Sequence, residues 1–151
     1  MNYEINVKEV EPIRVAYIRY HGKADMANSL FPQVFKSVKG KSTGAAFFNF
    51  IKMDESSKIG DIELSLPTNE IPNSDSVLVK TIPRTKVVST IHVGSYESIN
   101  KAYDAIRRYV IANKIIVTGS FKEIYIKGPG IIFKGNENKY ITEIQFDIKE
   151  I

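Results

Sequence analysis

The stretch KEIYIKGPG, Lys122 to Gly130, places a carboxylate and a phenol two residues apart in a strand-like run. Alternation along a strand puts Glu123 and Tyr125 on one face and Ile124 and Ile126 on the other. Fully burying a carboxylate can raise its pKa by roughly 3–5 units, and each unit is about 1.4 kcal/mol. A buried Glu123 therefore needs a cation of its own chain, water, or a ligand. Two chemistries follow. The acid is a counter-charge for a lipophilic cation whose other contacts are ring faces, or it is an acid or base that positions water beside a tyrosine.

The elements that carry this pair occur twice. RVAYIRYHG (14–22) and KVVSTIHVG (86–94) are strand-like runs that end in glycine, 72 residues apart. After the second, Ser95 is an N-cap candidate with Glu97 in the first turn. Ile99, Ala102, Tyr103, Ile106 and Val110 then form one helical stripe. Ala27, Leu30, Phe31, Val34 and Val38 repeat that stripe at the same offset, with Gly40 placed to end the helix. Pro32 is excluded from a helix interior, so the first helix is expected to begin near Ser29.

Two further strands follow each helix, 44–53 and 61–67 in one half, 121–128 and 140–148 in the other. One more precedes each glycine-ended strand, at 3–10 and 76–82. Thr118–Ser120 reads as a loop. Each half is strand, strand, helix, strand, strand. The expected fold is α+β, a tandem duplication packed about a pseudo-twofold axis. It is read as one domain, 1–151, with halves of about 1–67 and 76–151 and a linker of about 68–75 rich in Pro, Asn and Ser.

The duplication supplies an internal control. Aligning FNFIKM (48–53) with EIYIKG (123–128) sets Phe48 against Glu123 and Phe50 against Tyr125. The second half thus carries charge at a position where the first carries a ring. Phe48 and Phe50 are expected to be aromatic walls of the same slot. Asp61, Glu63, Glu143 and Gln145 are expected at the surface.

Composition narrows the alternatives. Without cysteine there are no disulfides, thiolate metal sites or cysteine nucleophile. His21 and His92 stand in no metal-ligand spacing, and no metal or cofactor is expected. A net charge of +4 is spread along the chain with no nucleic-acid-binding signature. No apolar run is long enough to cross a membrane, and the default location is the cytoplasm.

Three pieces together, TIHVGSYESINKAYDAIRRYV, GSFKEIYIKGPG and YITEIQFDIK, resemble the GyrI-like small-molecule-binding family, which is also the effector-binding domain of multidrug-sensing and AraC-type transcription activators. The resemblance implies a pocket between the halves for hydrophobic, often cationic compounds. It implies that Glu123 is the buried acid, Tyr125 its neighbour, Tyr96 the tyrosine after the glycine turn, and His92 the end of the preceding strand. Tyr20 joins them only because it matches His92 at the offset of 72. The tryptophan common in relatives is missing, with Tyr109 near its place. The two halves use the whole chain, so a stand-alone binding domain is expected. Two other functions are compatible with the resemblance. One is a hydrolase of strained-ring toxins using Glu123 with Tyr125 or Tyr96, and the other is a protein that interacts with DNA gyrase.

Overall fold

A computed structural model of the chain describes residues 2–128 and 135–150. Pro129 and Gly130 of the expected Gly-Pro-Gly turn lie outside the described residues. The architecture is α+β, as the pattern of the sequence predicts. Strands β1 (Asn6–Val10), β2 (Ile13–Lys23), β3 (Phe47–Met53), β4 (Ile59–Pro67), β5 (Leu78–Ile82), β6 (Thr85–Val93), β7 (Val117–Lys127) and β8 (Ile141–Ile148) alternate with helices α1 (Ala24–Ala27), α2 (Phe31–Ser37) and α3 (Asn100–Ala112).

The chain divides into two compact units. The terminal unit joins Met1–Val10 to Thr85–Ile151, and the middle unit is Glu11–Arg84. This division differs from halves at 1–67 and 76–151 because β1 pairs with β6 and β5 pairs with β2. Within the terminal unit the strand order is β1-β6-β8-β7, and within the middle unit it is β5-β2-β4-β3. All of these pairs are antiparallel. Each unit thus has an edge strand, then the glycine-ended strand, then its last long strand, then the strand that follows its helix.

In the terminal unit the α3 stripe meets the sheet. Ala102 and Ile106 pack with Val88 of β6 and Ile144 of β8, and Ile99, Tyr103, Val110, Phe146 and Ile148 close around them. Burial of each large side chain contributes about 1.5–3 kcal/mol. In the middle unit α1 and α2 pack on β4, and Ala27, Val34, Val38, Ile62, Leu64 and Leu66 are buried. Pro32 lies in the first turn of α2, where its missing N–H costs nothing. A 3-10 turn, Asn28–Leu30, separates α2 from α1, so helical structure starts earlier than Ser29 and is broken before the proline. Gly40, at φ +68°, donates its N–H to the Phe35 carbonyl at 2.9 Å and ends that helix.

Two expectations change. Thr118–Ser120 is not a loop but part of β7. The ladder skips between Val117 and Phe121, and Gly119 at φ +99° lets the strand bulge and continue. Of the four polar strand residues expected at the surface, only Asp61 keeps a well-exposed side chain, 41%. Glu63 is 1% and Gln145 3% exposed, and the Glu143 side chain only 12%. Resident partners offset the desolvation. Glu63 accepts from Lys80 Nζ at 2.5 Å and Arg19 Nη2 at 3.1 Å. Glu143 accepts from Lys8 Nζ at 2.7 Å and Gln145 Nε2 at 2.9 Å. Polar strand residues are buried here because cations from other strands of the same unit lie over them.

Truncating Ile106, fully buried on the sheet-facing side of α3, to alanine is expected to cost about 2–5 kcal/mol. The same change at Ile111, 77% exposed on that helix, is expected to stay within about 0.5 kcal/mol. Urea denaturation of both variants checks the assignment of the buried face.

Candidate functional site

The site is built on the helix-facing side of the terminal sheet. Glu123 stands directly across the ladder from the fully buried Ile144, and Phe121 stands across from Phe146. Directly paired residues of antiparallel strands share a face, so Phe121, Glu123 and Tyr125 all point toward α3. The Tyr103 hydroxyl, from α3, donates to Glu123 Oε2. The Tyr125 hydroxyl donates to Oε1 at 2.9 Å. Each carboxylate oxygen is therefore capped by a phenol.

Rings enclose this group. Tyr103 packs edge-on against Phe121 at 5.7 Å and tilted against Phe146 at 5.9 Å. Tyr96 packs edge-on against Tyr125 at 6.0 Å and tilted against Tyr140 at 5.3 Å. The Arg107 guanidinium lies over the Tyr103 ring at 5.5 Å, with Asp104 Oδ1 3.4 Å from its Nη1. Among the described residues no Lys, Arg or His lies within ion-pair distance of Glu123.

The electrostatics follow from that enclosure. Desolvation raises the Glu123 pKa, and the hydrogen bonds from Tyr103 and Tyr125 offset it only in part. Burial and the adjacent carboxylate hold the Tyr103 and Tyr125 pKa values far above the usual phenol range, so both remain donors. Tyr96 is pushed up to about 12, by burial first and then by Tyr140 and Glu123. Across the ladder from Tyr125 stands Thr142, whose buried hydroxyl has no hydrogen-bond partner. Leaving such a group unpaired costs about 1–3 kcal/mol. Among the described residues no cluster of His, Asp or Glu could hold a metal ion.

Glu123, Tyr125 and Tyr96 are thus brought together. His92 has a different place. It is buried, its Nε2–H donates to the Ser95 carbonyl at 2.9 Å, and its Nδ1 accepts from the Tyr3 hydroxyl at 2.9 Å. This pins the turn that presents Tyr96, whose hydroxyl lies over Gly128, 2.8 Å from where a Cβ would stand. Ser95 does precede the helical segment, but its side chain caps nothing, and its carbonyl serves His92 instead. Phe48, Phe50 and Tyr20 belong to the middle unit. The two phenylalanines are buried and meet edge-on at 5.8 Å, while the Tyr20 ring packs on Gly22.

Strand registers compare the units directly. The row Phe48–Leu64–Ile18 takes the place of Glu123–Ile144–Thr90, and Phe50–Ile62–Tyr20 that of Tyr125–Thr142–His92. Phe31 matches Tyr103 at the helix offset. Four apolar residues of one unit, Phe31, Phe48, Phe50 and Ile62, thus correspond to Tyr103, Glu123, Tyr125 and Thr142 of the other. Sequence reasoning found the middle two. It missed Tyr103, although the Phe31 match in the stripe was the available signal, and it missed Thr142, Tyr140, Phe121 and Phe146.

Solved structures share this fold. The EcmrR C-terminal domain superposes with a TM-score of 0.81 and 25% identity, covering 100% of both chains. This likeness of fold is consistent with a GyrI-like small-molecule-binding domain. EcmrR in complex with DNA gives a TM-score of 0.80 at 25% identity over 99% of this chain, which spans 58% of the EcmrR chain. SAV2435, in a structure bound to tetraphenylphosphonium, shares the fold at a TM-score of 0.63 and 16% identity, over 99% of this chain and 94% of that one. No family model matches the sequence, and no curated protein matches it. In this chain the acid of the Glu-x-Tyr strand is therefore described by its own geometry: enclosed by rings and bonded to phenols.

A raised carboxyl pKa has a defined sign in stability. Between the ordinary glutamate range and the raised folded-state value, the folded chain holds a proton that the unfolded chain has lost, so stability falls as pH rises through that window. Glu123→Gln removes this contribution. Its stability relative to the unmodified protein is expected to be lowest below the glutamate range, to increase as pH rises, and then to level off. Chemical denaturation of both proteins across pH measures it.

Proposed function

We propose that the chain is a receptor for hydrophobic cations, with Glu123 as counter-charge and Tyr96, Tyr125 and Tyr140 as ring contacts. The single observation that carries this reading is a desolvated carboxylate bonded to two phenols and to no cation among the described residues. The same chain contains the contrasting case. Glu63, which is more deeply buried, is neutralised by Arg19 and Lys80. Glu123 is left for an external charge.

Energetics favour a lipophilic cation over a hydrated one. A cation entering among rings gains contact with their negative faces, about 2 kcal/mol or more when desolvated, and lowers the cost of ionising Glu123. The unpartnered Thr142 hydroxyl offers one polar contact beside Tyr125. SAV2435 with its bound tetraphenylphosphonium supports the choice of probe.

Isothermal titration with tetraphenylphosphonium tests the reading. Glu123→Ala is expected to weaken it by a charge-assisted increment of about 1.5–3 kcal/mol. Neutral triphenylphosphine oxide is expected to lose little. Equal loss for both compounds would remove Glu123 from the role of counter-charge.

A further inference from the structure

The way the Glu123 carboxylate is held bears on which cations the site accepts, an inference that rests on the reading of Glu123 as counter-charge. A carboxylate offers about four lone-pair sites on two oxygens, and a guanidinium uses both oxygens at once in a bidentate fork. Here Oε2 already accepts from Tyr103 and Oε1 from Tyr125. An incoming fork must compete with both phenols for the lone pairs it would use.

The Tyr103 phenol is not free to yield. Its ring is held edge-on by Phe121, tilted by Phe146, and covered by the Arg107 guanidinium. Displacing its hydroxyl would leave a buried donor without a partner, as would any N–H of the ligand that faces only rings. A phosphonium or quaternary ammonium has no N–H. It needs the field of the carboxylate and the ring faces, and leaves both phenol bonds in place.

We propose that Tyr103 is a specificity-determining residue. By keeping the hydrogen-bonding fork of Glu123 occupied, it makes the site selective for cations without N–H donors and turns away guanidinium and primary ammonium groups. The middle unit shows what the position looks like without this role. Phe31 stands at the matching helix position, and the matching strand carries Phe48 and no acid. The tyrosine hydroxyl and the carboxylate occur together in one unit and are absent together from the other.

Calorimetric titration of the whole chain with tetraphenylphosphonium and with N,N′,N″-triphenylguanidinium, in the unmodified protein and in Tyr103→Phe, decides it. The unmodified protein is expected to prefer the phosphonium by about tenfold or more, a difference the size of one hydrogen bond. Tyr103→Phe frees Oε2, so the guanidinium is expected to gain about tenfold while the phosphonium stays within about threefold. Thermal melting establishes that the variant is folded. Should it not fold, Tyr125→Phe frees Oε1 by the same logic and is expected to move the guanidinium in the same direction. Guanidinium binding as tight as phosphonium in the unmodified protein would overturn the proposal. So would a parallel loss of both ligands in a folded Tyr103→Phe, which is what a merely structural tyrosine would give. Failure of the phosphonium to bind the unmodified protein is a separate outcome, and it overturns the counter-charge reading on which the inference rests.

Discussion

The structure of the terminal unit depends on one unfavourable placement, a carboxylate set in a row of apolar residues at a helix–sheet interface. Across the ladder from Glu123 is Ile144, which is fully buried, and above it is the α3 stripe. Such a group is kept there by two charge-assisted hydrogen bonds from phenols, each bond to a charged group contributing about 1.5–3 kcal/mol. Those bonds reduce the desolvation penalty without cancelling it, and the carboxyl pKa remains raised. An acid in this state is poised toward positive charge, because any cation that enters relieves it.

The surrounding residues serve that placement at increasing distance. Phe121 and Phe146 fix the Tyr103 ring, and the bulge at Gly119 sets the register that brings Phe121 and Glu123 onto the helix-facing side. Tyr96 is positioned from the other side through the turn that His92 and Tyr3 anchor. The anchor is long in sequence, since Tyr3 and His92 are 89 residues apart. It works because β1 joins the terminal unit and pairs with β6. The middle unit has the same strand order but fills the matching positions with rings and an aliphatic side chain, Phe31, Phe48, Phe50 and Ile62, so those positions need no comparable support.

Much of this was legible before coordinates. The helical stripe, the glycine-ended strands and the eight strand segments all appear, because each rests on local periodicity that burial enforces. The Phe48–Glu123 match also agrees with the ladder registers, since the offset of 72 between β2 and β6 carries through the pairing. What was not legible depends on strand pairing. A run of apolar residues does not name its partner, so the exchange of β1 and β5 could not be read from 3–10 and 76–82 alone. Alternation sets Glu63 and Gln145 facing away from their apolar neighbours, which is correct, but Glu63 lies beneath Arg19 and Lys80, and Gln145 bonds to Glu143, which lies beneath Lys8, the two lysines coming from strands that are not direct ladder neighbours. Tyr103 was counted as part of an apolar stripe because its ring packs there, while the chemistry lies in its hydroxyl.

The central claim is that Glu123 is an ionisable counter-charge held in an apolar enclosure, and its own titration tests that most directly. Side-chain carbon NMR of labelled glutamate, assigned by Glu123→Gln, follows the carboxyl through pH with and without tetraphenylphosphonium. The account predicts a midpoint above the ordinary glutamate range in the free protein and a downward shift when the cation binds. A midpoint within the ordinary range that the cation leaves unmoved would contradict it.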